Sequence, residues 1–210
     1  SPQRGDSGLF DLLVMLIAVA IVMMLGFAYL RPARQRAKQI NCVNLQKQIG
    51  LSFRLWSLDN GDKMPAQVST NNGGTMELVS SGLVYPHFLV MSNELGTPAI
   101  LRCFSDFKST AAKNFSLLRD SNISYFVVPE ADEAIPELWL AGDRNVATNN
   151  ITLKPGLFTM PANQLMGWTS QLHSNMGNIC LADGSVQQYS SVKLQQSATN
   201  ALRAYQVATT

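Results

Sequence analysis

Residues 12–30 read LLVMLIAVAIVMMLGFAYL, nineteen consecutive positions without a formal charge. As a helix rising about 1.5 Å per residue, such a run crosses roughly 30 Å of hydrocarbon, so it predicts a transmembrane helix. A secretory signal peptide is the competing reading, but its apolar region is usually only ~7–15 residues and ends at a small-residue cleavage site. Asp11 is the one acid at the edge of the run. Beyond it the pattern turns amphipathic instead of stopping: Cys42, Leu45, Ile49, Phe53 and Trp56 recur at intervals of three and four, with Leu51, Leu55 and Leu58 widening the stripe. One helix over 12–58, about 70 Å long, is therefore expected, its second half covering a globular domain. Asn60-Gly61-Asp62 supplies turn chemistry at its end. Pro32 removes a backbone donor inside this span and predicts a kink or an opened turn over residues 29–32.

Working outward, 210 residues with 46% apolar side chains suffice for one core, which excludes disorder as the whole account. The formal net charge of +2 is too small to argue for nucleic acid. Its distribution is uneven: residues 1–54 hold seven basic and two acidic side chains, a net +5, and residues 55–210 hold nine and twelve, a net −3. Arg31, Arg34, Arg36 and Lys38 follow the apolar run directly and read as a collar on anionic headgroups. Counted over this chain, the positive-inside rule puts the globular domain in the cytoplasm, and a basic leader ahead of Ser1 would reverse that expectation. Three Cys at scattered positions without a CxxC pair are read as excluding a structural zinc site and a disulfide-dense miniprotein.

Several stretches carry a resemblance. Cys42-Val43-Asn44-Leu45-Gln46-Lys47-Gln48-Ile49-Gly50, followed by Phe53-Arg54-Leu55-Trp56, is similar to the CxxNLKQIG segment of a large bacterial pilin-like group. Members of that group also carry a His-x9-Asp-Gly motif, and here His173 precedes Asp183-Gly184 by that spacing. FRLWSLDNGDKMP, VMSNELGTPAILRC and NISYFVV with LAGDRN belong to the same likeness, which covers roughly residues 9–190. The chain thus resembles the type IV pilins and type II secretion pseudopilins. The family's processing signal, cut after a Gly with Glu fifth in the mature chain, is matched here by SGLFDLL. Aligning Asp11 with that Glu makes Ser7 the first mature residue, with Asp6 in place of the Gly before the cut, whereas a cut after Gly5 or Gly8 makes Asp11 the sixth or third residue. A carboxylate in hydrocarbon is costly, so Asp11 is expected either at the interface or paired with a neighbouring subunit's N-terminal amine.

For the remainder, residues 75–80 and 85–95 read as short helices, and 99–103, 122–128 and 138–141 as strands. Strands over 178–182 and 185–189 flank Asp183-Gly184, the signal of a type I′ hairpin turn, and 192–207 reads as a closing helix. The expected fold class is α+β and pilin-like: a long N-terminal helix, apolar first and amphipathic second, packed on an antiparallel sheet. Its divisions are an N-terminal segment 1–11, the helix 12–58 with 12–30 as transmembrane segment and filament core, and a head over 59–210.

Chemistry is sparse. His173, Cys180 and Asp183, or Cys103, His173 and Asp143, could be written as triads, but Cys180 sits in an apolar run without a strained elbow or a Gly-rich oxyanion segment, so no enzyme is expected. No cofactor is called for. Calcium is the alternative, held by Asp143, His173 and Asp183 or by Glu130, Asp132 and Glu133, although no ordered loop spacing supports it. His173, Asp183 and Gly184 are read as structural, with His173 beside the hairpin. If the head lies outside the cytoplasm, Cys42 on the inward helix face and Cys103 at a strand end are the favoured bridge, with Cys180 free; three reduced thiols remain the alternative.

What the resemblance implies is a structural subunit that forms a homo-oligomeric helical filament. Asp11, Leu12, Leu13, Val14, Leu16, Ile17, Ile21, Leu25 and Pro32 are its assembly and membrane residues. The inner membrane holds it before assembly and the pilus or secretion machinery handles it, giving a periplasmic or extracellular filament. An anchored envelope protein or minor tip subunit that does not polymerise by itself is the alternative.

Overall fold

Between residues 6 and 59 only Pro32 and the glycines at 8, 26 and 50 oppose a helix, and the rest is dominated by Leu, Ala, Met, Gln and Arg. In the computed structural model, which describes residues 6–149, 151–160 and 164–209, they form one helix α1, Asp6–Asp59. It runs unbroken through 29–32, so the opened turn expected there is absent; the side chains of Arg31 and Pro32 lie outside the described residues. A single missing donor is tolerated where the residues on both sides are strong helix formers. The helix also begins before residue 12, taking in most of the segment assigned to the N-terminus. Gly61 and Asp62, both left-handed with φ of 69° and 59°, lead the chain away from it.

The chain divides into two compact units, Ser1–Ile40 and Asn41–Thr210. The turns of α1 from Asn41 onward fall in the second unit with the head.

From 60 to 124 the head is built of single turns and short helices, α2 Tyr85–Leu89 and α3 Ser92–Leu95 among them. Residues 99–103, expected as a strand, form instead a 3-10 turn, Pro98–Leu101. Pro98 presets its φ, and the Thr97 hydroxyl accepts from the amide of Ala99, so local capping outcompetes an extended run. Residues 76–81 are likewise a 3-10 turn.

Strands then follow: β1 Tyr125–Val127, β2 Trp139–Asp143, β3 Val146–Thr148, β4 Ile151–Thr152, β5 Met166–Trp168, β6 Met176–Leu181 and β7 Val186–Ser190. A four-stranded antiparallel sheet runs β1-β2-β6-β7, and a three-stranded one runs β4-β3-β5. The smaller sheet had no sequence signal, because its strands are only two or three residues long. Helix α4, Ser191–Ala208, closes the chain, with the Ser190 hydroxyl as its N-cap.

Every residue of β2 is buried, which requires cover on both faces of the sheet. One core cluster joins Cys42, Ile49, Phe53 and Trp56 of α1 to Leu101, Leu140, Ala141 and Cys180. The other joins Trp139 and Ile179 to Val146, Trp168 and the α4 residues Leu194, Ala198 and Ala201. A register shift between Trp139 and Ala141 lets both Leu140 and Ala141 face the first cluster.

Two details depart from the amphipathic reading of α1. Leu51, Leu55 and Leu58 are exposed, and the buried stripe is completed instead by Gln46, Gly50, Ser52 and Ser57. Small and polar residues let the helix come close to the sheet: a Cβ on Gly50 would lie 2.6 Å from Cys180 Sγ and 3.3 Å from the Gly184 backbone.

The β6–β7 turn also differs from type I′. Gly184 is left-handed at φ 82°, but Asp183 is not among the positive-φ residues. The amide of Gly184 donates to the Leu181 carbonyl, and that of Leu181 to Ser185. This is a three-residue loop over 182–184 whose last position needs a left-handed residue. Asp183 Oδ1 accepts from the Ser185 amide at 2.8 Å and stiffens it.

Candidate functional site

Among the described residues, two places carry features beyond packing. The first lies in α1. Residues Gly8–Phe27 make a helical stretch of 20 residues, long and apolar enough to cross a membrane, and none of it is buried. Leu12, Leu13, Val14, Leu16, Ile17, Ile21 and Leu25 are all exposed, as is Asp11 beside them. A membrane anchor and a signal sequence both meet this length and composition criterion.

The second is a polar cluster inside the head. Asp143, the last residue of β2, is fully buried. Its Oδ1 accepts from Gln46 Nε2 at 2.8 Å, and its Oδ2 accepts from the amide and side-chain nitrogens of Asn178 at 2.8 and 3.0 Å. Burial pushes the carboxyl up to about 7, against those three donors, with Asp106 pushing the same way. His173, 3% exposed, sets Nε2 3.4 Å from Asp143 Oδ2 and 3.4 Å from Cys103 Sγ. Its burial holds the imidazole below the usual range. Cys103 is bridged to Cys42 with a Cα separation of 5.4 Å, and Cys180 is a free, buried thiol pushed up to about 12 by burial and by Asp183.

Neighbouring residues hold this cluster in place. Arg144 Nη2 pairs with Asp106 at 2.7 Å. Asn145 Nδ2 donates to the carbonyls of Thr169 and Met176, clamping both ends of the segment that carries His173. Ser174 and Asn175 are left-handed at φ 54° and 64°, a strained arrangement for Ser that sets the ring back toward β2. The His-x9-Asp-Gly spacing thereby gains a physical meaning: it spans β6 from end to end. His173 sits at the Asp143 end of the β6–β7 hairpin and Asp183-Gly184 at its turn.

The triad and calcium sets fare differently. Cys103, His173 and Asp143 do converge, but sulfur and carboxylate meet the same ring nitrogen and the sulfur is bonded to Cys42, so no proton relay through the ring results. His173, Cys180 and Asp183 do not form a relay, since the Cys180 thiol points to the Leu181 carbonyl and Asp183 is exposed on its turn. For the same reason Asp143, His173 and Asp183 do not form one ligand set. In the Glu130–Glu133 stretch, Glu133 bonds Arg54 and Ser57, while Asp132 accepts from the Ala134 amide. That loop ties itself to α1.

Sequence reasoning missed Gln46, Asn178 and Asn145. Gln46 falls one turn after Cys42 and one before Ile49-Gly50, so a polar residue inside the buried stripe was the available signal.

A scan of the chain against protein-family models gives no match, and comparisons with curated proteins and with solved structures give none.

Proposed function

We propose that this protein is a structural subunit of a pilin-like or pseudopilus filament, stored in the inner membrane by α1 and assembled by packing α1 against other copies. The observation that carries the reading is an exposed apolar helix of 20 residues, Gly8–Phe27, covalently continuous with the helix that builds the head's own core. Such a surface must be covered by lipid or by protein, and identical helices supply both storage and assembly. Leu51, Leu55 and Leu58 form a separate exposed apolar row on the head's part of α1. The Cys42–Cys103 bridge suits a periplasmic or extracellular head. Asp11, at the edge of the apolar stretch, is assigned to pairing with a neighbour's N-terminal amine.

Electron microscopy of native material tests this. Filaments whose yield drops in Asp11→Ala, with the melting of the head unchanged, are the expected result; equal yield removes the role given to Asp11. The second reading, an anchored envelope protein that does not polymerise, is favoured by Asp6 standing where a processing Gly is expected. Monodisperse particles in detergent and no filaments at any concentration would select it.

A further inference from the structure

Four donor atoms converge at the buried end of β2: Cys42 Sγ, Cys103 Sγ, His173 Nε2 and Asp143 Oδ2. The first three lie within 4.8 Å of one another, and Nε2 is 3.4 Å from both Cys103 Sγ and Asp143 Oδ2. A tetrahedral zinc ion with Zn–S near 2.3 Å and Zn–N or Zn–O near 2.0–2.2 Å holds neighbouring ligand atoms roughly 3.3–3.8 Å apart. The 3.4 Å separations of His173 Nε2 from Cys103 Sγ and from Asp143 Oδ2 fall in that range, whereas the two sulfurs, bonded to each other, must part on reduction to reach it; 3.4 Å is also long for an N–H···O bond. Asp143 is already oriented by Gln46 and Asn178, as outer hydrogen bonds orient a ligating carboxylate.

We propose that, once the Cys42–Cys103 bond is reduced, these four residues bind one zinc ion, so that the head can be closed either by a disulfide or by a metal. A dithiol reductant passes two electrons and two protons to the S–S bond and leaves as its own disulfide. Zinc then displaces the two thiol protons to solvent and takes both thiolates, His173 Nε2 and Asp143 Oδ2. All four ligands are buried protein groups, the mark of a structural rather than a catalytic site. Either closure joins α1 to the segment carrying Cys103, so the reduced head keeps the cross-link that oxidation otherwise supplies. The proposal is independent of how the apolar helix is used.

The test uses the full chain in detergent, reduced under anaerobic conditions with a trialkylphosphine, which becomes its oxide by taking oxygen from water. Cobalt(II) is the probe. The reduced chain should develop a thiolate-to-cobalt charge-transfer band and tetrahedral d–d bands that saturate at one equivalent and bleach on adding zinc. The oxidised chain should show neither. Cys180→Ser should keep the bands, Cys103→Ser should lose them, and His173→Ala should weaken binding by more than about tenfold, the least that loss of even an outer partner costs. Because removing a buried ring can unfold the head, the unaltered chain supplies a second measurement. Zinc should slow alkylation of Cys42 and Cys103 together and raise the Tm of the reduced chain. Absence of a sulfur–cobalt band, a band that requires Cys180, or equal alkylation with and without zinc would overturn the proposal.

Discussion

At Gly50, a residue that reads in the sequence as a weak point of α1, the missing Cβ is what admits the β6–β7 hairpin. Gly50→Ala should destabilise the head by about 1–3 kcal/mol through overpacking. Because the nearest atom is the Cys180 sulfur at 2.6 Å, Cys180→Ala in the same chain should recover part of that loss. A denaturant double-mutant cycle measures the coupling, and strict additivity would count against the contact. Gly184→Val forces a β-branched residue to φ 82° and brings it toward Arg54 Cδ, so a cost of at least ~1–3 kcal/mol is expected in the same assay. His87 makes a pH prediction. Its buried ring, 2.7 Å from Thr75 Oγ1, is held below 6.5 by desolvation, which Asp120 partly opposes. The unfolded chain therefore takes up the proton first, so this contribution is complete above pH 6.5 and is lost as pH falls below it. His87→Gln should lose less stability than the unaltered protein on acidification; parallel curves would refute the assignment.

Helix α1 does different work along its length, and the difference lies in what each turn faces. Over Gly8–Phe27 every side chain is apolar except Asp11, and none is covered. From Asn41 onward one face is buried around Cys42, Gln46, Ile49 and Phe53. An Arg placed at the centre of the first part should oppose insertion by roughly 2.5–3.5 kcal/mol. Ile17→Arg is thus expected to shift the chain from carbonate-resistant membrane pellets to the soluble fraction, and unchanged pelleting would argue against a spanning role. Strand β6 is the other decisive element. It carries Asn178 toward Asp143, sets Cys180 against Gly50, and separates His173 from the turn by its own length.

At the scale of the molecule, both core clusters draw, among the described residues, only on positions from Cys42 onward. A chain starting at Asn41 is expected to fold cooperatively, and a broad, non-cooperative melt would show that the core needs the preceding helix. The bridge closes a separation of 61 residues, so reduction in the presence of a chelator should cost about 4 kcal/mol by loop entropy. A shift in the denaturation midpoint measures this, and no shift would mean that the reduced chain keeps the loop closed by packing alone.

The uncharged run over 12–30, the helix that follows it, the hairpin around Asp183-Gly184 and the closing helix were legible in the sequence because each is a local signal: hydropathy, periodicity or turn chemistry written in adjacent residues. The 3-10 turn at Pro98–Leu101, the small sheet and the exposure of Leu51, Leu55 and Leu58 were not. There, capping and the closeness of the sheet behind Gly50 decided between local alternatives of similar energy. Of the polar cluster, Cys103, His173 and Asp143 could be written as one set from the sequence, but one among several and without Gln46 or Asn178. Gln46, Cys103, Asp143, His173 and Asn178 come from parts of the chain up to 132 residues apart, and each alone reads as surface, turn or core. Only the pairing of β2 with β6, and α1 laid across that pair, removes water from all five at once, and burial is what turns ordinary polar residues into a site.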